Sequence, residues 1–236
     1  MSTALRKFSA ERHDCISGKA PYYRQNVLYV SEDLTVADSR REHLVETALR
    51  LFYTHGFHAT GIDRILSEAG VAKMTLYKHF RSKDELILAT LRRRDELFRN
   101  WLMGAMEQAG GDPRERMLAM FDALDDWFHG RALSTLGFHG CAFIKAAGEF
   151  DDPDHAVHRA CAEHKRLIVD YLTGLATTAG AAEPKTLAEQ LALLKEGAIV
   201  TAQVRGMANA AEQARPIARA MIDAACGASS HDRGAV

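Results

Sequence analysis

Cysteine and proline are scarce in this 236-residue chain, and no apolar run approaches the length needed to cross a bilayer. The four cysteines (Cys15, Cys141, Cys161 and Cys226) are scattered, with no C-x-x-C pair. That pattern speaks against a zinc module or a disulfide framework and suits a reducing cytoplasm. The first residues lack the apolar core of a signal peptide. There is no Gly-rich phosphate loop after a strand, no G-x-S-x-G and no H-E-x-x-H, so the common catalytic frameworks are missing. Asp125-Asp126 and Asp151-Asp152 are adjacent acids that cannot face one substrate from one helix side. A non-enzyme without cofactors is expected. What the chain has instead is an ordinary composition, 47% hydrophobic and 26% charged with net charge −1, and helical periodicity over most of its length.

The most informative stretch is TGIDRILSEAGVAKMTLYKHFRSK, residues 60–83. Thr60, with Asp63 three residues on, predicts a capped first helix whose apolar face is Ile62, Ile65 and Leu66. Gly70 supplies the left-handed position that ends it, and Val71 packs back beneath the turn. A second helix is expected over about Ala72–His79, with Leu76 and Phe80 facing inward. Ser82 and Glu85 form a capping box for a third. Helix, Gly-containing turn and helix is the DNA-binding helix-turn-helix, whose second helix enters the major groove. Short helix pairs are also common in all-α cores, but the surrounding charge favours DNA. From Ser39 to Arg94 there are 11 Lys/Arg against 6 Asp/Glu, in a chain that is nearly neutral overall. The expected DNA contacts are Thr60, Lys73, Thr75, Tyr77, Lys78, His79 and Lys83. Lys73 and Thr75, near the helix N-terminus, suit base edges.

The run HLVETALRLFYTHGFHATGIDRILSEAGVAKMTLYKHFRSKDELI resembles the N-terminal domain of the TetR family of bacterial transcriptional regulators. The pattern A–LF–GF–T–I–I–AGV–TLY–HF–SK–L is reproduced in order and spacing over about Arg40–Ile87. The resemblance implies phosphate contacts for Tyr77, His79 and Lys83. Two positions depart from it. Ala72 stands where a small hydroxyl residue commonly caps the recognition helix, and Gly61 where a second Thr or Ser often follows Thr60. Both bear on single phosphate contacts, not on the fold.

Around this domain the chain divides into an extension over 1–38, a helix-turn-helix domain over 39–85, a helical effector-binding and dimerisation domain over 86–227, and a tail over 228–236. The extension has equal numbers of basic and acidic residues, five of each, and reads as disordered. A second reading puts the natural start further in, near Ser39. An amphipathic helix over Ser39–His55 carries Leu44, Ala48, Leu51 and Phe52 inward, while Arg40 and Arg41 are placed to touch phosphate. A long helix, about Lys83–Gln108, joins the domains, with Arg92, Arg93 and Arg94 expected on its solvated side. Five more helices are expected at about Pro113–His129, Cys141–Phe150, Asp154–Thr178, Pro184–Gly206 and Glu212–Cys226, with Pro216 near a helix start.

The C-terminal half is where an effector cavity is expected, lined by Trp101, Met117, Phe121, Leu124, Phe128, Phe143, His164 and Tyr171. Most of these residues must also be core. The stretch GFHGCAFIKAAGEFDDPDH is similar to the C-terminal domain of one TetR subgroup, which implies a ligand-receiving domain and dimerisation through the last two helices. The apolar positions Leu191, Leu194, Ala198, Ile199 and Ala202, with Ile217, Met221 and Ile222, suit a four-helix dimer interface. His155, His158, Cys161 and His164 lie three apart, so they fan over half a helix instead of converging. Only Cys161 and His164 share the buried stripe, and a metal would need His139 or Glu149 as further ligands. The expectation is therefore an all-α homodimer that binds a palindromic operator in double-stranded DNA, touches no membrane, and is a repressor released by a small, largely apolar effector. The alternatives are an activator or ligand-independent binder of the same fold, or a metal- or redox-sensing regulator using Cys161 and His164.

Overall fold

The computed structural model describes residues 36–227. The extension and the tail expected from sequence, including Cys15, lie outside these residues, except that the first helix begins three positions before Ser39. Among the described residues the chain is all α-helical. The helices are α1 Val36–His55, α2 Ile62–Ala69, α3 Lys73–His79, α4 Lys83–Gln108, α5 Pro113–Phe128, α6 Ala142–Glu149, α7 Ala156–Thr178, α8 Pro184–Arg205 and α9 Ala210–Cys226. None of the described helices is long and apolar enough to cross a membrane.

The N-terminal core forms where the apolar stripes of α1 to α4 meet. Leu44, Ala48, Leu51 and Phe52 of α1 are buried with Ile65, Leu66, Leu76, Phe80, Leu86 and Ile87. Gly70 holds φ +63° and closes α2, and the Val71 N–H returns to the Leu66 carbonyl at 3.2 Å. Ser82 caps α4 by accepting from Glu85 N–H at 3.1 Å. Glu85 answers through Arg81 N–H at 2.7 Å, one residue earlier than a standard box predicts.

Two local expectations are corrected. Thr60 does not cap α2, because it is fully buried and its hydroxyl donates to the Gly56 carbonyl at 2.7 Å. Its place is taken by Gly61, which has no side chain to offer. Pro216 lies inside α9, which starts two residues earlier than expected. It is exposed there, so the carbonyl it leaves without an N–H donor faces water.

Beyond the helix-turn-helix, α4 runs on into the second half and packs on α5 and α7, while α8 packs on α7 and α9. Asp112 caps α5, and Pro113 occupies its first turn. His155 caps α7, accepting from Val157 N–H through Nδ1 at 3.2 Å. That cap explains why α7 begins two residues later than expected.

Neither α2 nor α3 has a side-chain cap. Ala72, the N-cap of α3, is exposed with extended backbone (φ −71°, ψ 149°) that Ser adopts equally well. Ala72→Ser should raise stability by about 1 kcal/mol, read as a higher urea midpoint at unchanged m-value.

Candidate nucleic-acid interface and ligand cavity

The outer surface of α3 carries the groups expected at DNA. Lys73, Tyr77 and Lys78 are exposed, and Thr75 and His79 are half-buried on its flanks. Leu76 and Phe80 anchor the opposite side, which is why a seven-residue helix holds its orientation at all. Lys73 reaches Asp63 of α2 at 3.8 Å, a loose exposed pair that leaves the ammonium able to turn outward. Lys83 is more constrained. Its Nζ donates to the His58 carbonyl at 3.2 Å and lies 6.0 Å from the Phe52 ring centre, and partial burial lowers its pKa. Met74 escaped the sequence reading. It is 81% exposed between Lys73 and Thr75, an apolar side chain held in water at the start of the reading helix. An apolar residue in the second position of a helix otherwise lined with donors was the available signal. Arg41 lies over Phe80, its guanidinium 5.2 Å from the ring centre.

Helix α6 ties this domain to the rest. Glu149, near its C-terminus, accepts from Phe57 N–H at 2.8 Å and from His58 N–H at 2.5 Å, so one carboxylate grips the α1–α2 turn. Gly56, at φ +94°, lets the turn approach closely, since a Cβ there would lie 3.2 Å from Glu149 Oε1. At the other end of α6 the buried Tyr53 hydroxyl donates to the Gly140 carbonyl at 2.7 Å and accepts from His139 N–H at 3.0 Å. Lys145 Nζ donates to the Tyr53 carbonyl at 3.0 Å. The Glu149 carboxylate, expected as a further metal ligand if there were one, is thus engaged in joining the two halves, and His139 joins them through its backbone N–H.

Behind α6 lies a small cavity of ≈ 10 Å³, room for about one water. Its wall is Phe98, Trp127 and Phe143 on one side, with Arg94, His164 and Lys195 among them. Phe143 stacks on His164 with ring centres 3.6 Å apart. Of the residues expected to line an effector cavity, only Phe143 and His164 do so. Met117, Phe121, Leu124 and Phe128 are packed core. Trp101 sits behind, edge-on to Phe98 and Trp127, and the Tyr171 hydroxyl bonds Glu107 at 2.7 Å.

The cations are the larger surprise. Arg94 is 1% exposed, not on the solvated side of α4 with Arg92 and Arg93. Three consecutive helical residues sweep too wide an arc to share one face, and Arg94 falls in register with Ile87, Leu91 and Phe98. Lys195 is also 1% exposed, in register with Leu187, Leu191 and Ala198. A charged residue at a stripe position was legible in both helices.

Comparison with known proteins places the molecule. Residues 44–90 match the sequence model described as bacterial regulatory proteins, tetR family. A TetR-family transcriptional regulator from Streptomyces coelicolor superposes with TM-score 0.72 at 32% identity, covering 79% of this chain and 96% of that one. The chain belongs to the TetR family. Members of this family are transcriptional regulators, not enzymes. The transcriptional activator FasR of Mycolicibacterium smegmatis is 39% identical over 90 residues, 38% of this chain and 41% of FasR. The repressor NemR of Escherichia coli is 28% identical over 135 residues, 56% of this chain and 65% of NemR. This chain thus spans less than half of FasR and just under two thirds of NemR.

Within this TetR-family frame the expected dimer stripe also needs correction. Leu191, Ala198, Ile199, Ala202 and Ile222 are buried inside the single chain, and Leu194 and Met221 are half-buried. These residues form the inner faces of α8 and α9. The apolar side chains left outside are Leu193, Val200, Val204 and Ile217, of which only Ile217 was expected.

The cysteine and histidine pattern of α7 does not converge. Burial pushes the Cys161 thiol up to about 11, away from the thiolate a metal or oxidant needs. His158 bonds the Phe150 carbonyl through Nδ1 at 2.8 Å, and His164 Nδ1 bonds Asp95 at 2.7 Å. Among the described residues no three His, Cys, Asp or Glu groups stand close enough to hold a metal.

Burial, helped by the Lys195 and Lys165 charges, drives His164 down to about 4 in spite of its bond to Asp95. Burial would raise Asp95, but hydrogen bonds from His164 and Arg99 outweigh it and hold the carboxyl at about 2. A histidine whose folded pKa lies below its unfolded one loses its contribution as pH falls between the two values, where only the unfolded chain takes up the proton, and contributes least below both. Stability should therefore fall as pH drops from about 6.5 towards 4, by about 3 kcal/mol in full. Asp95 loses its contribution only at lower pH. Melting temperatures from pH 7.5 to 4.5 should fall less steeply for His164→Gln than for the wild type; parallel slopes would remove His164 as the cause.

Proposed function

We propose that this protein is a homodimeric repressor that occupies a palindromic operator and is released by a small effector taken up in the helical C-terminal half. The observation that carries the reading is α6, which touches both ends of such a device. Cys141 and Phe143, at its start, line the cavity, and Glu149, at its end, grips the turn that orients the helix-turn-helix. An occupant that displaces Phe143 must move α6 or repack it, and either carries the α1–α2 turn along. The two reading helices of a dimer would then no longer match successive major grooves. A coupling of a few kcal/mol suffices for such a switch.

In this reading Tyr77, Lys78, His79 and Lys83 hold phosphate, and Lys73, Met74 and Thr75 face base edges. Met74 suits a thymine methyl group. Thr60 contributes by bracing the turn from inside. The dimer face is the outer stripe of α8, Leu193, Gly197, Val200 and Val204, beside Ile217 of α9. Its members recur at i, i+4, i+7 and i+11 and are apolar or small. A two-fold axis through it brings two helices from each subunit together. One observation favours the ligand-independent alternative: the cavity is nearly filled by Phe143 and Trp127. FasR, a transcriptional activator, is among the proteins similar to this chain.

The deciding experiment selects bound duplexes from fragmented genomic DNA with the purified protein at physiological salt. A two-fold symmetric enriched site is expected, and salt-sensitive binding with no enriched sequence would count against the reading. Tyr77→Phe should weaken all selected sites alike, by roughly tenfold. Met74→Ala should instead relax preference at one base pair in each half-site. A Tyr77→Phe loss confined to one base pair would reverse those assignments. Leu193→Glu should give a monomer by light scattering and abolish operator binding; a persisting dimer would rule out this face.

A further inference from the structure

Arg94 and Trp127 stand side by side in the cavity wall, and both lack something. Arg94 Nη1 and Trp127 Nε1 are fully buried donors with no hydrogen-bond partner among the described residues. Buried donors are almost always satisfied, so two orphans on one small cavity point to an absent acceptor. No carboxylate among the described residues forms an ion pair with Arg94. Its guanidinium is flanked by aromatic faces instead, with its central carbon 5.0 Å from the Tyr53 ring centre and 5.6 Å from those of Phe98 and Trp127. Burial pushes its pKa down, yet arginine stays protonated in proteins.

The neighbouring charges do not cancel it. Lys195 Nζ bonds Glu196 Oε1 at 2.5 Å, and Lys165 Nζ bonds Glu196 Oε2 at 2.7 Å. One carboxylate therefore serves two ammonium groups, and Asp95 is taken by His164 and Arg99. The wall is left with excess positive charge, an unused guanidinium donor and an unused indole N–H, set among the rings of Phe98, Trp127 and Phe143.

We infer that the effector is an aromatic carboxylate, its carboxylate held by Arg94 Nη1 and Trp127 Nε1–H and its ring replacing Phe143 in the stack on His164. The inference rests on reading this half as the ligand-receiving domain, and it replaces the largely apolar effector expected from sequence by one with an anionic head. The head is anionic because a neutral acceptor would leave the buried charge uncompensated. A planar body suits a slot that already holds two parallel rings. The ≈ 10 Å³ cavity holds about one water, less than a carboxylate needs, so head and ring enter by displacing Phe143.

The test titrates DNA-free protein with benzoate, phenylacetate and indole-3-acetate, and with the corresponding primary amides, up to millimolar concentration. Tryptophan fluorescence and melting temperature are read for wild type, Arg94→Met and Trp127→Phe. At least one carboxylate should bind and raise the melting temperature, with its amide inactive. Arg94→Met should weaken that binding roughly ten- to hundredfold, and should itself melt no lower than wild type, because it removes an unpaired buried charge. Trp127→Phe should weaken binding less, and it serves as the decisive variant if Arg94→Met does not fold. Amides binding as well as carboxylates, variants binding as well as wild type, or no carboxylate binding at all would overturn the inference. Binding through Arg94 that leaves operator affinity unchanged would keep the site and sink the effector-release reading.

Discussion

Tyr53 is the point on which the two halves of this molecule depend. It lies in the last turn of α1, which supports the DNA-reading pair, and it is buried to its hydroxyl. That hydroxyl both donates and accepts across the junction, so the loop before α6 is fixed to α1 by two hydrogen bonds through one oxygen. Its ring meanwhile stacks against the Arg94 guanidinium and the Lys145 ammonium. Burial raises the phenol's pKa, the Arg94 charge working against it, so at neutral pH the group keeps the proton it donates. A phenylalanine in its place would fill the space and cut both bonds. Together with α4, which runs from the helix-turn-helix to the cavity wall, this residue and the Glu149 clasp at the other end of α6 connect the cavity to the DNA-reading domain.

The interior of the second half shows how buried charge is managed when it is structural. Asp95 is in direct contact with His164 and Arg99, and Glu196 with both Lys165 and Lys195, so each carboxylate has its cation. Such networks contribute little net stability, but breaking one leaves a costly unpaired group. Arg94 is the exception: no carboxylate among the described residues pairs with it, and it is attended by aromatic faces, by the Tyr53 hydroxyl, which keeps its proton at neutral pH, and by the Cys141 thiol. Cation–π contacts are worth about 1–2 kcal/mol when desolvated, less than the desolvation of a guanidinium. An unsatisfied arginine in a closed, well-packed site is therefore more economical as a waiting contact than as a brace.

Much of this was legible in the sequence because it rests on local chemistry. Helical period placed α4 and gave the other boundaries to within about three residues. Gly70, Ser82 and the inward pair Leu76 and Phe80 fixed the helix-turn-helix before any tertiary contact was known. The family pattern was read from residues whose roles are backbone turns and core. What was missed depends on long-range packing. Thr60 resembles a cap by spacing, yet its hydroxyl finds the Gly56 carbonyl because the turn folds over it. The stripe through Leu191 and Ala198 is apolar, but apolarity alone does not say which neighbour it faces. Here α7 and α9 of the same chain cover it, and the weaker outer stripe of Leu193, Val200 and Val204 is left exposed. Arg94 was misplaced for a simpler reason: its charge outweighed its register, although the position continues an apolar stripe.

The small size of the cavity favours a switch over a passive pocket. A preformed void would bind its occupant with little movement, and little would reach α3. Here Phe143 already occupies the stack on His164, so the filled and empty states exclude one another locally. Close-packed interiors respond to such a choice by shifting whole elements, since side chains without free space cannot absorb it. The element available to shift is α6, eight residues long and held at both ends by hydrogen bonds to the DNA-reading domain. On the reading proposed above, a short rigid helix so tethered would convert one displaced ring into a change of angle at the α1–α2 turn. The nearly closed cavity, which at first favours a ligand-independent protein, is thus equally what a ligand-driven one requires in its unliganded state.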